Sequence, residues 1–151
     1  MRHQLFKGLM MALLVAGTLA VAVETTNAQS SRRVTANVPF DFVVGDKTFT
    51  AGAYEVKAAT SSGGAMIVRN QSSQRSITRL TNSIQPINKD TTARLVFHRY
   101  GETYFLAEVW SGADYAGRQV LESKREKQLR REAPALAQNQ FERVELVAVV
   151  Q

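Results

Sequence analysis

The sequence predicts a mainly β protein: a single small antiparallel β-sandwich or barrel of about seven strands. One charged surface helix is expected beside it and an N-terminal signal helix ahead of it. Three observations lead there. Apolar and polar side chains alternate with period two from Val34 to Val44. Short runs of the same kind recur at roughly ten-residue spacing, with turn residues between them. Only Gln119 to Glu132 combines strong helix formers with no glycine and no proline.

Composition sets the frame. The chain has 151 residues, 44% of them hydrophobic, enough for one domain with its own core. It has no cysteine, which excludes a disulfide framework and any thiolate metal site. The charged fraction is 21% and the formal net charge is +6.

The first element is a leader. Arg2 and Lys7 bracket a polar start, and the apolar run GLMMALLVAGTLAVAV follows from Gly8 to Val23. Thr26 and Ala28 stand at −3 and −1 of a cleavage site before Gln29, the pattern of a secretory signal peptide. At 16 residues the run is short for the ~20 needed to span a bilayer. Residues 1–28 are therefore expected to be removed, leaving 29–151 as a single exported β-rich domain, periplasmic or secreted. Removal takes two of 19 basic and one of 13 acidic residues, leaving 17 and 12, or +5. A basic protein outside the cytoplasmic membrane meets anionic head groups and acidic polysaccharides more often than nucleic acid.

The strands follow in order. Val34, Ala36, Val38, Phe40, Phe42 and Val44 form the buried face of the first. Pro39 has no N–H to give a ladder, so an edge or a bulge is expected there. Gly45-Asp46-Lys47 turns the chain. Tyr54, Val56 and Ala58 mark a second strand, Ala65–Arg69 a third, Arg75–Ile84 a weaker fourth. Ala93–Arg99 and Tyr104–Ser111 are the fifth and sixth, and Phe141–Val150 the last. The helix is expected at about residues 119–132, with Glu126 and Arg130 at i,i+4 and a thin apolar set of Val120, Leu121 and Leu129. Pro134 ends it or begins a further short turn.

The most chemically suggestive stretch is LVFHRYGETYFLAEVW, Leu95 to Trp110. Two hairpin registers are open. A two-residue Gly-Glu turn of type II′ sets His98 opposite Phe105. A three-residue Gly-Glu-Thr loop sets His98 opposite Leu106. The second is preferred because it puts Ala93, Leu95, Phe97, Phe105, Ala107 and Val109 on one apolar face. The other face then carries Arg94, His98, Tyr100, Tyr104, Glu108 and Trp110. In that register Glu108 lies diagonally near His98, and a carboxylate can orient an imidazole for base catalysis. His98 and Glu108 are thus the weak catalytic candidates of a hydrolase-like reading. No Gly-x-Ser-x-Gly elbow accompanies them, and a lone histidine cannot make the usual zinc site. The alternative is a structural histidine. Arg94, Tyr100, Tyr104 and Trp110 are the binding candidates: exposed aromatic rings stack on sugars or partner side chains, and Arg94 near Trp110 suits a cation–π contact. The bland alternative is that this face lies under the helix or a second sheet.

VPFDFVVGDKTFTAGAYEV (Val38 to Val56) and Leu95–Trp110 together resemble a group of small exported proteins of acidobacterial type. The group has no assigned activity. The resemblance implies an exported location and a short β-rich domain, and no reaction or site residue. That pattern often has a proline before the Ala-Gly turn, where this chain has Thr50 before Ala51-Gly52.

The expected function is a noncatalytic exported β domain, binding or structural, at the cell envelope. Its expected partner class is an envelope polysaccharide or protein, with no nucleic acid, no metal, no cofactor and no transmembrane span after cleavage. The alternative is the enzyme using His98 with Glu108. An outer-membrane barrel is disfavoured, because several runs are about five residues long against the ~9–11 of a spanning strand.

Overall fold

A computed structural model describes residues 32–86, 92–112, 117–132 and 141–151. The expected leader, the connection after Pro86 and Pro134 beyond the helix lie wholly or mostly outside the described residues. Eleven strands and one helix are present among them: β1 (Arg33–Val38), β2 (Phe42–Val44), β3 (Lys47–Phe49), β4 (Gly52–Ala58), β5 (Ala65–Asn70), β6 (Ser76–Ile84), β7 (Arg94–Tyr100), β8 (Thr103–Trp110), β9 (Gly117–Val120), α1 (Lys124–Glu132), β10 (Glu142–Val147) and β11 (Val149–Val150).

The strands form one mixed sheet in the order β10-β7-β8-β9-β6-β5-β4-β1-β11, with β2 joining β8 in parallel and β3 antiparallel. It is not closed into a barrel. This corrects the expectation of about seven antiparallel strands in a sandwich or barrel, and the extra strands have identifiable causes. Pro39 lacks the N–H a ladder needs, so β1 stops at Val38. The chain resumes at Phe42 with different neighbours: β1 lies between β4 and β11, whereas β2 lies against β3 and β8. Val44 pairs Lys47 across a two-residue Gly45-Asp46 turn with Gly45 at φ +63°, so Lys47 opens β3 rather than ending the turn. Gln119 and Val120 pair Asn82 and Thr81 in β9, which moves the helix start from 119 to Lys124. Ala148 divides the last strand, giving its N–H to the Ala93 carbonyl at 2.8 Å.

Two segments serve two neighbours each. The first half of β6 pairs β5 and its second half pairs β9. On either side of Ala148, β10 pairs β7 and β11 pairs β1. The two ends of the sheet are therefore successive pieces of one chain.

The alternating residues of β1 fill the core as expected: Val34, Ala36 and Val38 are buried with Phe42, Tyr54, Val56, Val68, Leu95, Phe97, Leu106 and Val109. Its centre is aromatic. Phe42 meets Tyr54 edge-on at 4.8 Å and Phe97 at 5.4 Å, and Phe40 meets Phe97 at 5.2 Å. Side chains of this size contribute about 1.5–3 kcal/mol each on full burial.

Candidate functional site

The candidate site is the outer face of the β7–β8 hairpin. Its turn is Gly101-Glu102, since Tyr100 pairs Thr103 and His98 pairs Phe105. Gly101 takes φ +59°, the left-handed value a type II′ turn requires at its first central position. The preferred three-residue register is thus corrected near the turn. It holds farther along: Phe97 pairs Leu106 but Val96 pairs Glu108, leaving Ala107 as the extra residue of a β-bulge. Beyond the bulge, Leu95 faces Val109 and Arg94 faces Trp110, as that register has it.

The bulge resorts the two faces. Pairing puts Leu106 beside Phe97 on the core side, and Tyr104 packs there too, stacked on Phe40 at 3.9 Å. Phe105 moves to the outer side with His98 and Tyr100, meeting Tyr100 edge-on at 5.8 Å. Tyr104 therefore does not share a face with the other binding candidates.

Helix α1 reaches this outer face. Ser123 caps it, its Oγ accepting the Glu126 N–H at 3.1 Å. In a full capping box the glutamate would return to the cap's own N–H. Here the Glu126 side chain turns inward and its Oε1 lies 3.0 Å from His98 Nδ1. Glu126 is 4% exposed and His98 9%. Phe141, just ahead of β10, stacks on the His98 ring at 3.9 Å. Tyr100 lies beside Phe141, with its hydroxyl buried and without a hydrogen-bond partner among the described residues. Burial, helped by the negative charges of Glu126 and Glu122, pushes the Tyr100 phenol up to about 12.

Glu108 is engaged elsewhere. Arg143 on β10 donates to both of its oxygens, at 2.7 and 3.0 Å, and Trp110 Nε1 donates at 2.7 Å. Burial alone would raise this carboxyl. The hydrogen bonds from Arg143 and Trp110, with the charges of Arg143 and His98, outweigh it and hold the group below its ordinary value. Glu108 makes no hydrogen bond to His98 among the described residues; the carboxylate on the imidazole is Glu126.

Arg94 and Trp110 do meet. The Arg94 guanidinium sits 4.9 Å from the indole centroid, the cation–π contact expected of them. Trp110 is only 6% exposed, and Gly117 lies so close that a Cβ there would stand 2.6 Å from ring carbon Cε3. Of the four binding candidates, Arg94 and Trp110 are together, Tyr100 is part of the His98 cluster, and Tyr104 faces the core.

Chemically, a carboxylate on His98 Nδ1 is the arrangement that fixes an imidazole tautomer and orients the ring. A nucleophilic triad also needs a hydroxyl on Nε2. Among the described residues none is bonded there, and none gathers three His, Asp or Glu side chains for a metal. Sequence reasoning missed the role of Glu126, along with Phe141 and Arg143. The first had a signal: Ser123-Lys124-Arg125-Glu126 is the Ser-x-x-Glu pattern of a helix start. The other two arrive through pairing of β10 with β7, which no local pattern announces.

No family model, curated protein or solved structure matches the chain.

Proposed function

We propose that the protein is an exported, noncatalytic β domain with a binding or structural role at the cell envelope. The observation that carries the noncatalytic part is the filling of the hairpin's outer face. His98 is enclosed by Glu126 and Phe141, and Glu108 by Arg143 and Trp110. The His98 Nδ1 and both Glu108 oxygens are taken up by other side chains, and no nucleophile is bonded to Nε2 among the described residues. Export is supported by the leader pattern of residues 1–28 and by the resemblance of Val38–Val56 and Leu95–Trp110 to small exported proteins.

The test is fractionation of cells expressing the tagged full chain, with N-terminal sequencing of the product. The expected result is a protein beginning at Gln29 outside the cytoplasmic membrane. An intact Met1 in the cytosol would overturn the export reading. A hydrolytic activity lost in a folded His98→Ala variant would overturn the noncatalytic one and favour the hydrolase-like alternative.

A further inference from the structure

We infer that the outward side of α1, together with Leu80 and Leu121, adsorbs to an anionic lipid surface. This deepens the envelope reading above and rests on it. Lys124, Lys127 and Arg131 stand at i, i+3 and i+7, so they share one stripe of the helix, with Arg125 on its flank. All four are exposed, and none makes an ion pair among the described residues.

Two of the three acids of this segment are drawn away from the stripe. Glu126 is withdrawn beneath the helix to His98. Glu122 is held by Arg130 at 3.1 Å, and Glu132 accepts the Gln128 amide at 2.8 Å. The sequence interleaves the signs, whereas the fold leaves Glu132 as the one exposed acid of this segment beside an outward cationic ridge.

Apolar side chains stand next to it. Leu80 is 64% exposed and Leu121 38%. The Leu121 N–H donates to the Leu80 carbonyl at 3.2 Å, extending the Thr81–Val120 ladder by one pair. Directly opposed residues in a ladder project to the same side. Leu121 precedes Lys124 by three residues, and the Arg79 guanidinium donates to its carbonyl at 3.3 Å. An acidic polysaccharide would match the cations and leave the leucines in water. An anionic bilayer matches both, receiving cations at the head groups and leucines at the acyl boundary. The helix has nine residues and a thin apolar stripe, so the contact is peripheral and is weakened by salt.

Sedimentation of the protein with lipid vesicles tests this. Binding is expected to vesicles of phosphatidylcholine mixed with phosphatidylglycerol and not to phosphatidylcholine alone. A basic residue at such a surface is worth roughly fivefold in partitioning, so a Lys124→Glu, Lys127→Glu, Arg131→Glu variant should lose at least about tenfold. Leu80→Ser with Leu121→Ser should weaken binding and make what is left more salt-sensitive. Whatever the leader contributes is common to all variants, and thermal unfolding checks that each is folded. Equal binding by the charge-reversed variant overturns the inference. So does equal binding to both vesicles, or competition by soluble polygalacturonate with the leucine substitutions silent. Vesicle binding by a protein found in the cytosol would remove the envelope reading and leave this surface standing. An exported protein that ignores anionic vesicles would do the reverse.

Discussion

Glu108 illustrates how a polar side chain on the hairpin serves the fold. Its carboxylate takes two hydrogen bonds from Arg143 and one from Trp110, and its titration is depressed as a result. A depressed carboxyl stabilises the folded state above its unfolded value, about 4.3, and that stability is lost as pH falls through the lower folded value. Glu108→Gln should therefore cost about 1–3 kcal/mol at neutral pH and flatten the acid limb of a stability-versus-pH curve. Urea unfolding at a series of pH values reads both. Tyr100 has the opposite sign. Its phenol is raised to about 12, so its contribution is complete below about 10 and disappears as pH rises through the folded value. Because the hydroxyl is buried without a described partner, Tyr100→Phe should be neutral or stabilising by up to about 1 kcal/mol, and should remove the alkaline loss. The same titrations measure it. The Arg143 contact was not legible in the sequence, since Arg143 lies 35 residues from Glu108, nor was that of Glu126, 28 residues from His98.

At the scale of elements, α1 depends on a cap and a buried polar contact more than on a greasy stripe. Nine residues are marginal for an isolated helix. Ser123→Ala should cost about 1 kcal/mol and lower helical signal before global unfolding, readable by amide exchange along Lys124–Glu132. The Ser-x-x-Glu pattern was present in the sequence, but the expected helix begins at Gln119, where pairing with β6 prevails over local propensity. The hairpin shows a different limit. Both registers sorted the residues plausibly, and the fold uses each on one side of the bulge at Ala107. A one-residue slip moves every side chain to the other face, so Phe105 and Tyr104 exchanged sides relative to expectation. Period-two alternation from Val34 to Val44 covered β1 and β2 as a single strand, and short apolar or alternating runs located β4–β8. β3 and β9, three and four residues long, overlap the expected turn at Gly45–Lys47 and the start of the expected helix.

For the whole molecule, the readable property was a β core built on alternating side chains. Phe42 and Phe97 are buried in the core and Phe40 packs against it, as the pattern required, whereas Phe105 is buried on the outer side. The path of the sheet was not readable, because it turns on Pro39, the two halves of β6 and the break at Ala148. Ladders on both sides of Ala148 tie β7 and β1 to one terminal segment, so the sheet should unfold in a single transition. Phe97→Ala should lower stability by about 3–5 kcal/mol while keeping that transition single, as followed by both fluorescence and circular dichroism.

The claim on which the rest depends is that the hairpin face bearing His98 is packed beneath α1 and Phe141. Beyond residue 28, His98 is the sole histidine, so its ethoxycarbonylation by diethyl pyrocarbonate can be followed by peptide mass. The account predicts modification at least about tenfold slower in the folded protein than in the urea-unfolded chain, because reaction must wait for local opening. Equal rates in the two states would mean an open imidazole and would contradict it.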